Sequence, residues 1–225
     1  MNPISSYLSS SIGRKWIVAL TGLALFGFVV AHMLGNLQIF LGQESINRYG
    51  AFLQSTGELL WVARIGLLVM LVAHIFYTIQ LRIENHAARP KSYAVTARRA
   101  ATFPARMMAL SGLMVLAFII YHLLHFTAQT IDPSFATLHD AKGRHDVYRM
   151  MILGFQSKAA SAFYLVGVGL LAMHLNHGIG SLFQTLGLNS AKLRALWEKG
   201  GVALSWLIFL GYASIPVAVL TGVVK

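Results

Sequence analysis

Five apolar runs constrain this chain more than any other feature. They cover about residues 16–41, 58–83, 103–130, 157–186 and 202–224. Each meets the roughly 20 residues that cross the hydrocarbon core of a bilayer. In hydrocarbon every backbone polar group must be bonded within its own segment, so each run is expected as a helix. The expected fold is an all-α membrane protein, a single domain over residues 1–225 with five transmembrane helices. Charged residues are 11% of the chain, against about 25% in soluble domains. No connector is long enough to house a separate catalytic module.

The connectors carry the polar residues. Arg14-Lys15 precede the first run. That run exceeds the roughly 7–15 residues of a signal-peptide core and is followed by no small-residue cleavage site, so it is expected as a retained helix. Residues 42–57 read as a polar connector with a short interfacial helix around Ser45–Gln54. Residues 82–106 hold Arg82, Arg89, Lys91, Arg98, Arg99 and Arg106 against a lone Glu84. Residues 131–157 mix both signs, and 187–199 form a short basic connector. Five spans put the termini on opposite sides. The side of the N-terminus collects eleven Lys and Arg, the other side six, which predicts a cytoplasmic N-terminus and an outside C-terminus. The net charge of +11 therefore fits membrane orientation and partner docking, and nucleic acid is not expected as a partner. With no cysteine, the chain can hold neither disulfides nor a thiolate-bound iron–sulfur cluster.

Histidines inside four of these runs carry the chemistry. His32, His74, His122 and His174 lie deep in successive apolar segments, where an ionisable side chain is costly and marks a function. His32 is 17 residues beyond Lys15 and His122 is 16 beyond Arg106. At 1.5 Å per residue both stand about 24–26 Å from the cytoplasmic charges, in the outer half. His74 is 16 residues beyond Glu58 and His174 is 16 beyond Lys158, on helices running the other way, which puts both in the inner half at about 24 Å from the outer boundary. The set resolves into two levels: His32 with His122 for an outer haem b, His74 with His174 for an inner one. Two axial imidazoles leave no open position on iron, which suits electron transfer. Arg14, Arg64 and Arg106 are candidates for the haem propionates. His125 and His177 each lie one turn from a ligand candidate and are assigned to a haem edge or the vicinity of a quinone. His86, His139 and His145 fall in connectors and read as solvated. A proton or metal-ion transporter also uses buried histidines, but it would usually add intramembrane acids; the interiors of these runs contain none, apart from Glu58 at a helix mouth.

Four segments give these residues a recognisable setting: SSIGRKWIVALTGLALFGFVVAHMLGNLQIF around His32, LLWVARIGLLVMLVAHIFYTIQLR around His74, FIIYHLLHF around His122 and MHLNHGIGSLFQTLGL around His174. Over its whole length the chain resembles the five-helix dihaem cytochrome b subunit of bacterial succinate:quinone oxidoreductases, the succinate dehydrogenases and quinol:fumarate reductases. The resemblance implies five helices bundled around two haems b, ligated by His32, His74, His122 and His174. In the family the last ligand lies four residues before a glycine, which His174 satisfies with Gly178 and His177 does not. It further implies an iron–sulfur subunit docked on the cytoplasmic face. That subunit carries a flavoprotein, so FAD and iron–sulfur clusters reside in partner subunits only. Electrons would pass to or from a quinone, menaquinone by this resemblance, in a bacterial cytoplasmic membrane. Higher oligomers of the complex are compatible with it. Glu58 or Glu44 could supply an acid to a quinone site; a site at the inner haem near Arg14 and Ser10 stays open. Some fumarate-reducing relatives place a glutamate two residues before the last ligand, in a proton path, where this chain has Ala172. The competing readings are a dihaem cytochrome b of another dehydrogenase, of hydrogenase or formate dehydrogenase type, and a haem-free transporter. The fifth helix and the early His32 count against the first.

Overall fold

The computed structural model describes residues 10–88, 103–188 and 190–225, the side chains of residues 103–106 and 191 excepted. Arg89, Lys91, Arg98, Arg99 and the Arg106 side chain lie outside the described residues. Helix α1 spans Ser11–Asn36, and a 3-10 turn, Leu37–Leu41, prolongs it. The short α2 is Gln43–Ser55 and α3 is Glu58–Ala87. Helix α4, Phe103–His122, runs on into a π-helical turn over Leu123–Thr127. After a 3-10 turn at Pro133–Thr137 come α5 (Val147–Gln156), α6 (Lys158–Thr185) and α7 (Ala191–Leu220). Helices α1, α3, α4, α6 and α7 are long and apolar enough to cross a membrane, so the chain is a multi-pass membrane protein.

Two of these boundaries differ from expectation for a physical reason. The last helix starts at Ala191 rather than 202, because Ser190 accepts a hydrogen bond from Leu193 N–H at 3.3 Å and caps it there. Hydropathy marks the part of a helix that meets lipid, and a cap decides where the helix begins. Residues 131–157 contain α5, whose first turn is capped by Asp146 accepting from Arg149 N–H at 3.0 Å. The interfacial helix does form, as α2, between glycines at φ 93° (Gly42) and φ 55° (Gly57), a backbone region that other residues rarely adopt.

The long helices pack in pairs. Helix α1 lies along α3, α4 along α6, and α7 against α6; α1 meets α6 over a shorter stretch, whereas α3 has no comparable contact with α4 or α6. No residue of α3 is buried, so most of its apolar surface is left for lipid. At the end where the chain starts, Arg14 of α1 pairs with Glu84 of α3. At the distal end the core is denser: Ile39, Ile46, Met151, Phe155, Tyr164, Ile215 and Val219 form one buried cluster.

A polar clasp closes this distal end. Asn47 of α2 is fully buried, and Asp146 is 2% exposed. Asn47 Nδ2 donates to Asp146 Oδ1 at 3.0 Å and to Asp140 Oδ2 at 3.2 Å, while its Oδ1 accepts from Tyr148 N–H at 3.0 Å. Gln43 Nε2 donates to the other Asp146 oxygen at 2.7 Å. Arg144 joins Asp140 and Glu44, each at 2.7 Å, and Lys142 reaches Glu44 at 3.0 Å. Hydrogen bonds from Arg144, then from Lys142, hold the Glu44 carboxyl down at about 2. Arg144 likewise keeps Asp140 well below the usual carboxylate range, and the two acids together raise the guanidinium.

Candidate functional site

The four histidines span the seam between the two helix pairs. His32 on α1 faces His122 on α4, with ring centres 5.7 Å apart and planes at 77°. Two imidazoles holding one metal ion from opposite sides, each nitrogen about 2 Å from it, set ring centres roughly 6 Å apart. His74 on α3 and His174 on α6 lie within electrostatic range of one another. Each pair therefore takes one member from either half of the bundle. Among the described residues no three His, Cys, Asp or Glu converge on a metal position. An ion held here would need its other donors from outside the protein, and the ring nitrogens of a haem supply four. The donor set fits that group: facing imidazoles in an apolar seam, with no cluster of acidic side chains beside them among the described residues.

Small residues of the neighbouring helix set His74 and His174. Thr21 Oγ1 donates to Ile17 O at 2.7 Å, which turns its lone pair toward His74 Nδ1 at 3.2 Å. That nitrogen is also 3.2 Å from Val18 O. A carbonyl can only accept, so Nδ1 carries the proton and Nε2 the lone pair. His174 repeats the arrangement on α4. Ser111, 1% exposed, donates to Met108 O at 3.1 Å and faces His174 Nδ1 at 3.3 Å. Gly22 and Gly112 complete the two cradles. A Cβ at Gly22 would come within 3.2 Å of His74 Cε1, and one at Gly112 within 3.3 Å of His174 Cε1.

The surroundings of His32 and His122 are built differently. His122 Nδ1 and His125 Nδ1 both stand 3.2 Å from the hydroxyl of Tyr164 on α6. A phenol has one proton, so it donates to one ring and accepts from the other. The π turn carries His125 into a buried aromatic cluster, where it is 4% exposed and stacks on Phe126 at 4.1 Å. Gly154 of α5 makes room there, since a Cβ would meet Phe126 at 2.7 Å and His125 at 3.3 Å. Gln129, just past the turn, has φ 55°, a strained value for a residue with a side chain. Its amide meets His145 Nε2 and Met150 Sδ, each at 3.2 Å. His32 stacks on Phe28 at 5.2 Å and lies 6.3 Å from the Tyr212 ring. Tyr212 fixes α7 to α1 by donating to Val29 O at 2.7 Å.

The other candidates fall in several places. His177 is half-buried, one turn from His174 and within its electrostatic range. Arg14 is taken up by Glu84. Arg64 is exposed, with its guanidinium 5.1 Å from the Trp61 ring centre, an aromatic face that attracts a cation. Glu58 is exposed in the first turn of α3 without an ion pair among the described residues. Glu44 is bound into the clasp.

Thr21, Ser111 and Tyr164 escaped the sequence reading, though a signal for the first two exists. Thr21-Gly22-Leu23 precedes His32 as Ser111-Gly112-Leu113 precedes His122, with Phe28 matched by Phe118. The same short segment thus recurs 90 residues later; the copies carry His32 and His122, and the cradles of His74 and His174. No family model, characterised protein or solved structure matches the chain.

Proposed function

We propose that the chain is the membrane-anchor cytochrome b subunit of a succinate:quinone oxidoreductase, carrying electrons between an iron–sulfur subunit and membrane quinone through two bis-histidine haems b. The observation that carries this reading is the 5.7 Å approach of His32 to His122 from helices far apart in sequence. The second pair, His74 with His174, sits on the other two helices of the same seam. Haem iron, when bound, supplies the one-electron chemistry. His32, His74, His122 and His174 would hold it; Nδ1 of His74, His122 and His174 is hydrogen-bonded to Thr21, Tyr164 and Ser111 respectively, which leaves Nε2 for iron, and aromatic packing excludes water. Two levels along the membrane normal divide an insulating barrier into shorter hops. The N-terminal side, richer in Lys and Arg, is the cytoplasmic face on which the iron–sulfur subunit and its flavoprotein dock.

Spectra of the protein purified with its partners test the proposal. Dithionite is expected to raise a b-type α-band equal to two haems per chain, and succinate is expected to reduce both. Absence of the band would remove the haem assignment. Two haems together with unrelated soluble subunits would transfer the chain to another dehydrogenase.

A further inference from the structure

The two hydroxyl and glycine cradles carry the inference that reaches furthest, and it rests on the haem reading above. We propose that Thr21 and Ser111 are positioning residues for one and the same inner haem. Each holds a histidine of the neighbouring helix with Nδ1 protonated and Nε2 free for iron. Three observations support this. Both hydroxyl protons are directed at carbonyls of their own helix, Ile17 O at 2.7 Å and Met108 O at 3.1 Å, so both oxygens present a lone pair to the imidazole. A backbone carbonyl, Val18 O, stands beside His74 Nδ1 as a second acceptor, which excludes the opposite tautomer. Gly22 and Gly112 let each ring lie flush on the helix that bears the hydroxyl. Groups that accept a proton from a metal-bound imidazole fix its orientation and raise its basicity, and their loss commonly weakens metal binding by about 10- to 100-fold.

The outer level lacks this device. There the hydroxyl belongs to Tyr164 and is shared between His122 and His125. The cradles therefore make a selective prediction: two residues 90 positions apart, on helices with no extensive mutual contact, act on a single haem.

The test is Thr21→Val and Ser111→Ala in the intact complex, with Thr21→Ser as the conservative control. Haem content, the low-spin electron paramagnetic resonance signals and the midpoint potential of each haem are measured. Both variants are expected to raise the potential of the same haem by up to tenfold in its reduction equilibrium, about 59 mV for one electron. Retention of that haem against an acceptor protein falls about tenfold. The other haem stays unchanged, and Thr21→Ser behaves as wild type. Unchanged potentials in both variants, or shifts in different haems, would overturn the proposal. A wild-type complex without haem would instead overturn the reading on which it rests.

Discussion

Replacing Asn47 by alanine should loosen the distal clasp and leave the membrane-crossing helices in place. The side chain is fully buried. It makes two hydrogen bonds to carboxylates, one of which, to Asp140 at 3.2 Å, is long, and it accepts one from a backbone amide. Bonds to charged groups contribute about 1.5–3 kcal/mol each and neutral ones about 1 kcal/mol. Asp146 keeps Gln43 and Arg149 N–H as donors, and Asp140 keeps Arg144, so neither acid is stranded. Discounting the long bond, the net loss is about 3 kcal/mol. At about 1.4 kcal/mol per tenfold, that is on the order of 100-fold in the equilibrium for local opening. The assay is amide hydrogen exchange in detergent, read at Tyr148, whose N–H donates to Asn47. Its exchange should accelerate on the order of 100-fold, with amides of α6 unaffected. Arg48→Ala, at an exposed neighbouring position, is the control. An unchanged Tyr148 amide in Asn47→Ala would refute the view that the clasp is held from its buried asparagine.

Three further outcomes are expected. His32→Ala or His122→Ala should each remove one haem, and His74→Ala or His174→Ala should each remove the other; loss of the same haem from His32→Ala and His74→Ala would break the pairing. Tyr164→Phe should perturb only the haem of the His122 level, since both bonds that it deletes lie there; a shift at the other haem would contradict the assignment. The clasp should also weaken in acid. Glu44 is held at about 2, below its ordinary 4.5, so its contribution is complete above about 4.5 and fades as pH falls toward about 2. Exchange at residues 140–148 should quicken across that window, and Glu44→Gln should abolish this part of the pH dependence.

What the sequence disclosed follows from how lipid and water select residues. Hydrocarbon demands length and apolarity, so all five long helices were legible, and a histidine within such a run stands out because it is costly there. Helical rise then paired His32 with His122, the pair that stands in ring contact. Caps, turns and the clasp were less legible. They rest on Ser190, Asp146 and Asn47, polar residues in connectors where polar residues are ordinary. Thr21 and Ser111 were hidden for a different reason. A hydroxyl in an apolar helix usually bonds its own preceding turn, and both do; that the same oxygen also receives a histidine depends on packing.

The clasp joins Glu44 and Asn47 to Asp140, Arg144 and Asp146, segments made far apart in time on the ribosome. When α2 emerges, the residues that will latch it do not yet exist. The α1–α3 pair must therefore wait, anchored at its far end by Arg14 and Glu84, until the chain through α5 has followed. Among the described residues the latch lies at the distal end, so the two halves meet there like the covers of a clasped book. The helix that carries His174 follows the clasp residues in the chain, so the timing of latching, and not only its strength, bears on correct assembly.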